Sequence, residues 1–175
     1  MLFFSNPYIT LANVADVSAI KDLLNAAYRG ESSKQGWTTE ALLISGDTRT
    51  NDEMILTAIE QTGSVILIYK KDEKLVGCVN LQQNSNKLYL GMFSVLPALQ
   101  GNGIGKQLLQ GAEEYATKVN CHSIYMSVIS LRTELIAWYK RHGYRDTGER
   151  KPFQEDEITG KHLQPLEFMT MEKSF

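Results

Sequence analysis

Apolar residues recur at helical spacing in the first part of the chain. The repeat from Val17 to Ala27 predicts an amphipathic helix with Asp16 as its N-cap, after a short strand at 8–11. A second helical repeat runs from Met54 to Ile59. The more polar stretch from Gly30 to Ser45 predicts an irregular or partly helical excursion between the two helices.

Three strongly apolar segments follow, at 65–69, 75–81 and 87–95, and short polar turns separate them. Consecutive strands joined by short turns predict an antiparallel meander. Gly91 lies inside the third segment and indicates a bulge or a close backbone approach there.

Helical and strand patterns alternate in the second half of the chain. This alternation predicts a mixed α/β sheet with a parallel crossover at its centre. The later elements are a helix from 104 to 119, a strand at 122–129, a helix that starts at 132 or 133 and ends at His142–Gly143, and strands at 144–147 and 166–171.

The composition is that of one globular domain, which we predict to span residues 1–175. Apolar residues make up 43% and charged residues 22% of 175 positions. The net charge of −2 argues against a dedicated nucleic-acid binder. There is no apolar run near the ~18 residues of a membrane helix and no signal-peptide pattern, so we expect no membrane partner and a cytoplasmic location. Cys78 and Cys121 are expected to be buried free thiols.

A glycine-rich turn, Gln100-Gly101-Asn102-Gly103-Ile104-Gly105, stands between a strand and a helix. Such a turn suits phosphate, because glycine lets the backbone approach and the helix N-terminus offers N–H groups. It is not a P-loop, since Gln100 stands where that motif needs glycine and Gln107 where it needs Ser or Thr. It is not the dinucleotide fingerprint either, because Lys106 replaces the third glycine.

The segment LGMFSVLPALQGNGIGKQLL, residues 90–109, resembles the acyl-coenzyme-A-binding motif of the GNAT superfamily of N-acetyltransferases. The stretch from Trp138 to Tyr144 is similar to a second signature of that superfamily, and the order of elements agrees from about Tyr8 to Lys173. The resemblance implies an α/β fold with a twisted mixed sheet of about seven strands and helices on both faces. It also implies an enzyme that moves an acetyl group from acetyl-CoA, its co-substrate, to a primary amine by direct attack.

The resemblance further implies where coenzyme A binds. Arg132 occupies a position at which many family members carry an asparagine that touches the pantetheine arm; it contacts the cofactor or a substrate carboxylate, or it pairs with Glu134 or solvent. The amides that would hold the pyrophosphate belong to Gln100, Gly101, Asn102, Gly103, Ile104, Gly105 and Lys106. The strand groups that would meet the pantetheine arm belong to Phe93, Ser94 and Val95.

Tyr139 matches the family tyrosine that acts as general acid toward the departing thiolate. A phenol with a pKa near ~10 is protonated at neutral pH, which suits that role, although a helix tyrosine can also simply pack against a sheet. The general base is unassigned, because neither central strand, 88–95 or 123–129, contains a carboxylate. The candidates in the region that lines the acceptor side of the family are Glu31, Glu40 and Asp47.

Other features narrow the function less. The three histidines lack metal-ligand spacing, so we expect no metal. Trp37 either covers the acceptor pocket or packs against the protein. The loop 155–157 either attracts cationic amines or is an ordinary solvated loop, and we favour the solvated loop.

We expect a small-molecule amine rather than a protein as acceptor, and a homodimer is allowed but not required. The rival functions are a non-catalytic acyl-CoA sensor on the same fold and, less favoured, a nucleotide-binding α/β protein.

Overall fold

A mixed sheet with helices on both faces forms the framework of residues 2–175, which the computed structural model describes. The strands are β1 (Ile9–Leu11), β2 (Ser64–Lys71), β3 (Lys74–Asn84), β4 (Lys87–Val95), β5 (Ser123–Ile129), β6 (Arg145–Pro152) and β7 (Glu167–Ser174). The α-helices are α1 (Val17–Tyr28), α2 (Gly30–Ser33), α3 (Asp52–Glu60), α4 (Ile104–Lys118) and α5 (Thr133–Arg141). No helix within residues 2–175 has the length and apolar character needed to cross a membrane.

The sheet order is β1-β2-β3-β4-β5-β7-β6. Strands β1 to β4 pair antiparallel, β4 and β5 pair parallel, and β7 pairs antiparallel with both β5 and β6. The predicted meander and the central parallel crossover, which runs through α4, are therefore confirmed. The predicted mixed α/β fold class is confirmed as well.

The two central strands separate after a short paired stretch. Their register ends at Tyr89 opposite Tyr125, although β4 continues to Val95 and β5 to Ile129. A bulge in β4 lies just beyond, where Cys78 faces Ser94 but Asn80 faces Gly91. Extra residues in one strand bend it away from its partner. The bulge predicted at Gly91 thus occurs immediately after that residue and opens a gap in the middle of the sheet.

The central strands β2 and β3 are buried on both faces of the sheet, whereas β6 is exposed. On β2, Leu67 packs into the core beneath α4, whereas Ile66 and Ile68 pack into the core beneath α1 and α3. A strand buried on both sides reads as a continuous apolar run, as the segment 65–69 does. Because helices cover both sides of the central strands, the gap between β4 and β5 lies between two layers of helices.

Asp16 is the N-cap residue of α1, as predicted, but its side chain makes no capping hydrogen bond to that helix. A preceding 3₁₀ turn is capped by Asn13: the Asn13 side chain accepts the Ala15 N–H, and Asp16 accepts the Asn13 N–H at 3.0 Å. This reciprocal arrangement is a capping box around a short 3₁₀ turn that leads into α1. Asp16 also pairs with Lys70 Nζ at 3.0 Å, which ties the turn to β2.

Both cysteines are buried free thiols, as predicted. Cys78 Sγ donates to the Met92 carbonyl at 3.3 Å and so supports the bulge. Burial raises the pKa of the Cys78 thiol from 9.0 to about 12. The folded protein keeps this proton when the unfolded chain has lost it, so the associated stability is present below pH 9 and is lost as the pH rises toward about 12.

We therefore expect the free energy of unfolding to decrease more steeply with pH in the wild type than in Cys78→Ala. The excess slope is about 1.4 kcal/mol per pH unit above the thiol's unfolded pKa. Urea denaturation at a series of alkaline pH values measures it. A constant offset between the two proteins reflects only the lost packing of the thiol and its lost bond to the Met92 carbonyl, so equal slopes would contradict the prediction.

Candidate active site

The turn before α4 leaves main-chain N–H groups unpaired and pointing outward. Gly101 and Gly103 have φ angles of +86° and +81°, a region that L side chains rarely adopt. Gly103 is the N-cap and offers no side-chain partner, and the helical bonds start with Gln107 N–H to Gly103 carbonyl at 3.1 Å. The preceding amides have no partner within the helix and can bind an anion.

The charges around this turn also suit an anion. None of the first-turn residues 104–107 is acidic, although acidic side chains are favoured at that end of a helix. Lys106 occupies this turn instead. A basic side chain at a helix N-terminus is unfavourable by itself, and a bound pyrophosphate would compensate for both the lysine and the open amides.

A cavity of about 580 Å³ extends from this turn to the gap beside β4. It has one orphaned polar group, because the Ser94 hydroxyl is buried without a hydrogen-bond partner among residues 2–175. These features fit an extended ligand with a phosphate end and polar groups along its length. Of the residues predicted to bind coenzyme A, those that line this cavity are Phe93, Ser94, Val95, Gln100, Gly101, Gly103, Ile104, Gly105 and Lys106.

Two of the predicted coenzyme residues do not line this cavity. The side chain of Asn102 is exposed and donates to the Leu99 carbonyl at 3.1 Å, so it stabilises the turn. Arg132 lies instead in a second cavity, described below. Its guanidinium donates to the Thr38 carbonyl at 2.5 Å, and among the ion pairs of residues 2–175 there is none between Arg132 and Glu134, which was one of the alternatives for this side chain.

Gln100 connects the end of β4 to the segment 36–38. Its amide nitrogen donates to Thr38 Oγ1 at 2.8 Å and to the Val95 carbonyl at 3.0 Å, while its Oε1 accepts the Trp37 N–H at 2.8 Å. The side chain is therefore occupied within the protein. Its role in the motif is to hold the loop that forms one wall of the cavity.

Aromatic side chains form the opposite wall. The Trp138 ring lies 5.8 Å from that of Phe93, 6.2 Å from Trp37 and 4.2 Å from His142, measured between centroids. A Cβ at Gly105 would approach Trp138 at 3.4 Å, so α4 and α5 are close here. Trp37 lines this first cavity, and its ring packs against that of Trp138.

A second cavity of about 430 Å³ lies on the other side of Phe93. Tyr28, Phe93 and Leu135 line both cavities, so the two spaces meet where β4 and β5 diverge. The Tyr28 hydroxyl donates to the Phe93 carbonyl in the bulge. Tyr139 lines the second cavity close to this junction, with its ring centroid 6.2 Å from that of Phe93.

Tyr139 has the protonation state that a general acid needs. The residue is only 4% exposed, and this burial raises the pKa of its phenol well above 10, with the neighbouring Tyr28 raising it further and Arg132 opposing the shift. The phenol therefore keeps its proton at neutral pH.

The second cavity is rich in arginine. Arg49 and Arg132 flank the Tyr28 ring, with their guanidinium carbons 4.6 and 5.5 Å from its centroid, and Arg29 lies beside them. Stacking on an aromatic ring holds a guanidinium in a fixed plane. No sequence motif marks Tyr28, Arg29 or Arg49; the only signal is that residues 28 and 29 directly follow the apolar repeat of α1 and precede the predicted acceptor region.

Of the three predicted base candidates, the structure brings only Glu40 to this cavity. Glu40 is 5% exposed, and its Oε1 lies 3.4 Å from Arg49 Nε. Glu31 is on the surface, paired with Lys34 at 2.6 Å, and Asp47 is exposed outside the cavity. Glu40 is thus engaged by Arg49, and the general base stays unassigned.

Comparison with protein-family models identifies the family of the protein that contains these two adjoining cavities. The family model described as the acetyltransferase (GNAT) family matches residues 18–144, which include the turn, both cavities' central residues and Tyr139. The chain belongs to the GNAT family. Membership implies an acyl-CoA-dependent acetyltransferase, in agreement with the anion-binding turn.

Solved GNAT structures share the fold over nearly the whole chain. YncA from Salmonella typhimurium, a putative acetyltransferase solved with its cofactor acetyl-CoA, is 21% identical with a TM-score of 0.70, covering 97% of this chain and 94% of its own. The PaiA N-acetyltransferase from Thermoplasma acidophilum, in complex with coenzyme A, is 18% identical with a TM-score of 0.67, covering 95% and 98%. An N-acetyltransferase from Staphylococcus aureus is 16% identical with a TM-score of 0.72, covering 95% and 96%.

Proposed function

We propose that this GNAT protein transfers an acetyl group from acetyl-CoA to the primary amine of a small molecule. The observation that carries the proposal is the continuity of the site. An uncapped helix N-terminus at one end leads along β4 to a buried, protonated tyrosine at the other end. A phosphate-binding turn alone is also expected in a non-catalytic acyl-CoA sensor. A protonated tyrosine beside the junction of the two cavities is expected in an enzyme.

The first cavity would hold coenzyme A. The amides at the start of α4 and Lys106 would receive the pyrophosphate, and Ser94 and the main chain of β4 would meet the pantetheine arm. Leu96 N–H bonds to the Val76 carbonyl on β3, so the Val95 N–H points the other way, into the gap. Acetyl-CoA supplies an activated acyl group whose transfer leaves a thiolate.

The protein's own groups would act at the junction of the two cavities. Tyr139, which is buried and protonated, would donate its phenolic proton to the departing sulfur, so that coenzyme A leaves as the thiol. The positive charge of the nearby arginines disfavours an ammonium ion in the second cavity. The neutral, nucleophilic form of the substrate amine is therefore favoured there over its ammonium form.

Thiol release with acetyl-CoA and a panel of small primary amines tests the proposal. We expect amine-dependent release of coenzyme A, together with calorimetric binding of acetyl-CoA in the absence of amine. Binding without thiol release for every amine would favour the acyl-CoA sensor instead. Stronger thermal stabilisation by ATP than by coenzyme A would support a nucleotide-binding protein and reject the proposal.

A further inference from the structure

The second cavity offers more available positive than negative charge. Both carboxylates on its wall are already engaged, because Glu40 pairs with Arg49 and Asp156 accepts two N–H groups of its own loop at 2.8 and 2.6 Å. These bonds keep the two carboxylates from competing for a ligand's cationic group. The charged residues that line the cavity are Arg29, Arg49, Arg132, Glu40 and Asp156.

Arg29 has an unmet hydrogen-bonding demand. The residue is 3% exposed, and its Nη1 donates to the carbonyls of Thr48 and Thr159, but its Nε is buried without a partner among residues 2–175. A buried donor without an acceptor is costly. An anionic oxygen in the cavity that Arg29 lines would be a suitable partner.

Arg132 also has donors to spare. A guanidinium carries five N–H donors, and the Arg132 group uses Nη2 for the Thr38 carbonyl. The Arg132 and Arg49 guanidiniums both lie over the Tyr28 ring and both line the second cavity, so two forked donors are close together there. Such forks match the paired oxygens of a carboxylate or a phosphate.

We propose that the acceptor is an amine that also carries an acidic group, a carboxylate or a phosphate, which the Arg49 and Arg132 guanidiniums bind in the second cavity. This inference rests on the proposed function, since it names the substrate class of the same site. Holding the acidic group at the arginines leaves the amine to face the Tyr139 end of the cavity. An amine without such a group would leave the excess positive charge of the second cavity without a counter-ion.

Matched pairs of amines test this inference. Leucine and leucinamide differ in the carboxylate, and phosphoethanolamine and ethanolamine differ in the phosphate. For at least one pair we expect the acidic member to show a kcat/KM about 10-fold or more above its neutral partner, the size of one good ionic contact. The same pairs are titrated into protein loaded with coenzyme A, where the acidic member is expected to bind more tightly. The pair that responds identifies the acidic group.

Arg132→Gln should abolish this preference, and Arg132→Lys, which keeps the charge without the fork, should restore part of it. Arg145→Gln is the matched control: it removes an exposed arginine of β6 outside both cavities and should preserve the preference. Equal or better turnover and binding of both neutral members would overturn the inference and leave the proposed function intact. Failure of the wild type to bind acetyl-CoA would instead overturn the proposed function.

Discussion

Gly103→Val is expected to weaken coenzyme A binding by about 100-fold or more. Valine cannot occupy the φ of +81° without strain of about 1–2 kcal/mol, so the backbone rotates or remains strained. Rotation turns the amides at the start of α4 away from their common focus. Loss of two hydrogen bonds to a charged group, each worth about 1.5–3 kcal/mol, accounts for the expected change. Isothermal titration calorimetry with coenzyme A measures it.

Gly148→Val is the control for the strain itself. Gly148 has a φ of +89° in β6, and a Cβ there would meet no atom of residues 2–175 within 4 Å. Both variants should lose a similar amount of stability, but only Gly103→Val should lose affinity. If both variants bound coenzyme A as tightly as the wild type, the turn would not be the pyrophosphate site.

Tyr139→Phe is expected to lower kcat by about 100- to 1000-fold, which corresponds to about 3–4 kcal/mol of transition-state stabilisation. The substitution removes only the hydroxyl, so the aromatic packing with Phe93 and Trp138 is retained. The dissociation constant of acetyl-CoA should therefore change little. Because burial keeps the phenol protonated beyond pH 10, the wild-type rate should show no alkaline decline from this group below that pH.

Steady-state thiol release, with the amine and acetyl-CoA varied separately, distinguishes the effect on kcat from an effect on binding. Tyr115→Phe is a suitable control, because Tyr115 is also buried on a helix but lies outside both cavities. A turnover of Tyr139→Phe near that of Tyr115→Phe would remove the general-acid role and leave the coenzyme site untouched.

Local patterns in the sequence were enough to predict the sheet and the coenzyme turn. The strands around 65–95 are consecutive and joined by short turns, so their pairing follows from nearest neighbours. The turn is equally local: glycines at Gly101 and Gly103 mark positive φ directly before an amphipathic helix. These features depend on residues that are neighbours along the chain, so they can be predicted without information about long-range contacts.

The second cavity could not be predicted in the same way, because its charged groups converge only in three dimensions. Arg29 follows α1, Arg49 lies in the loop before α3, and Arg132 precedes α5. Each one alone has the appearance of an ordinary surface charge. Arg132 replaces a family asparagine, and its sequence position alone left the cofactor, a substrate carboxylate, Glu134 and solvent open as partners; its side chain lies with the other two arginines.

The early end of the β4–β5 pairing has a consequence for association with other chains. It creates two strand edges inside the sheet, and unpaired edges normally invite an additional strand. The Tyr28 hydroxyl and the Gln100 amide already occupy the Phe93 and Val95 carbonyls, so a polypeptide cannot form a full ladder there. The Val95 N–H stays available to the pantetheine arm of coenzyme A, which carries amide groups. The rate of hydrogen–deuterium exchange at this N–H should therefore report whether coenzyme A is bound.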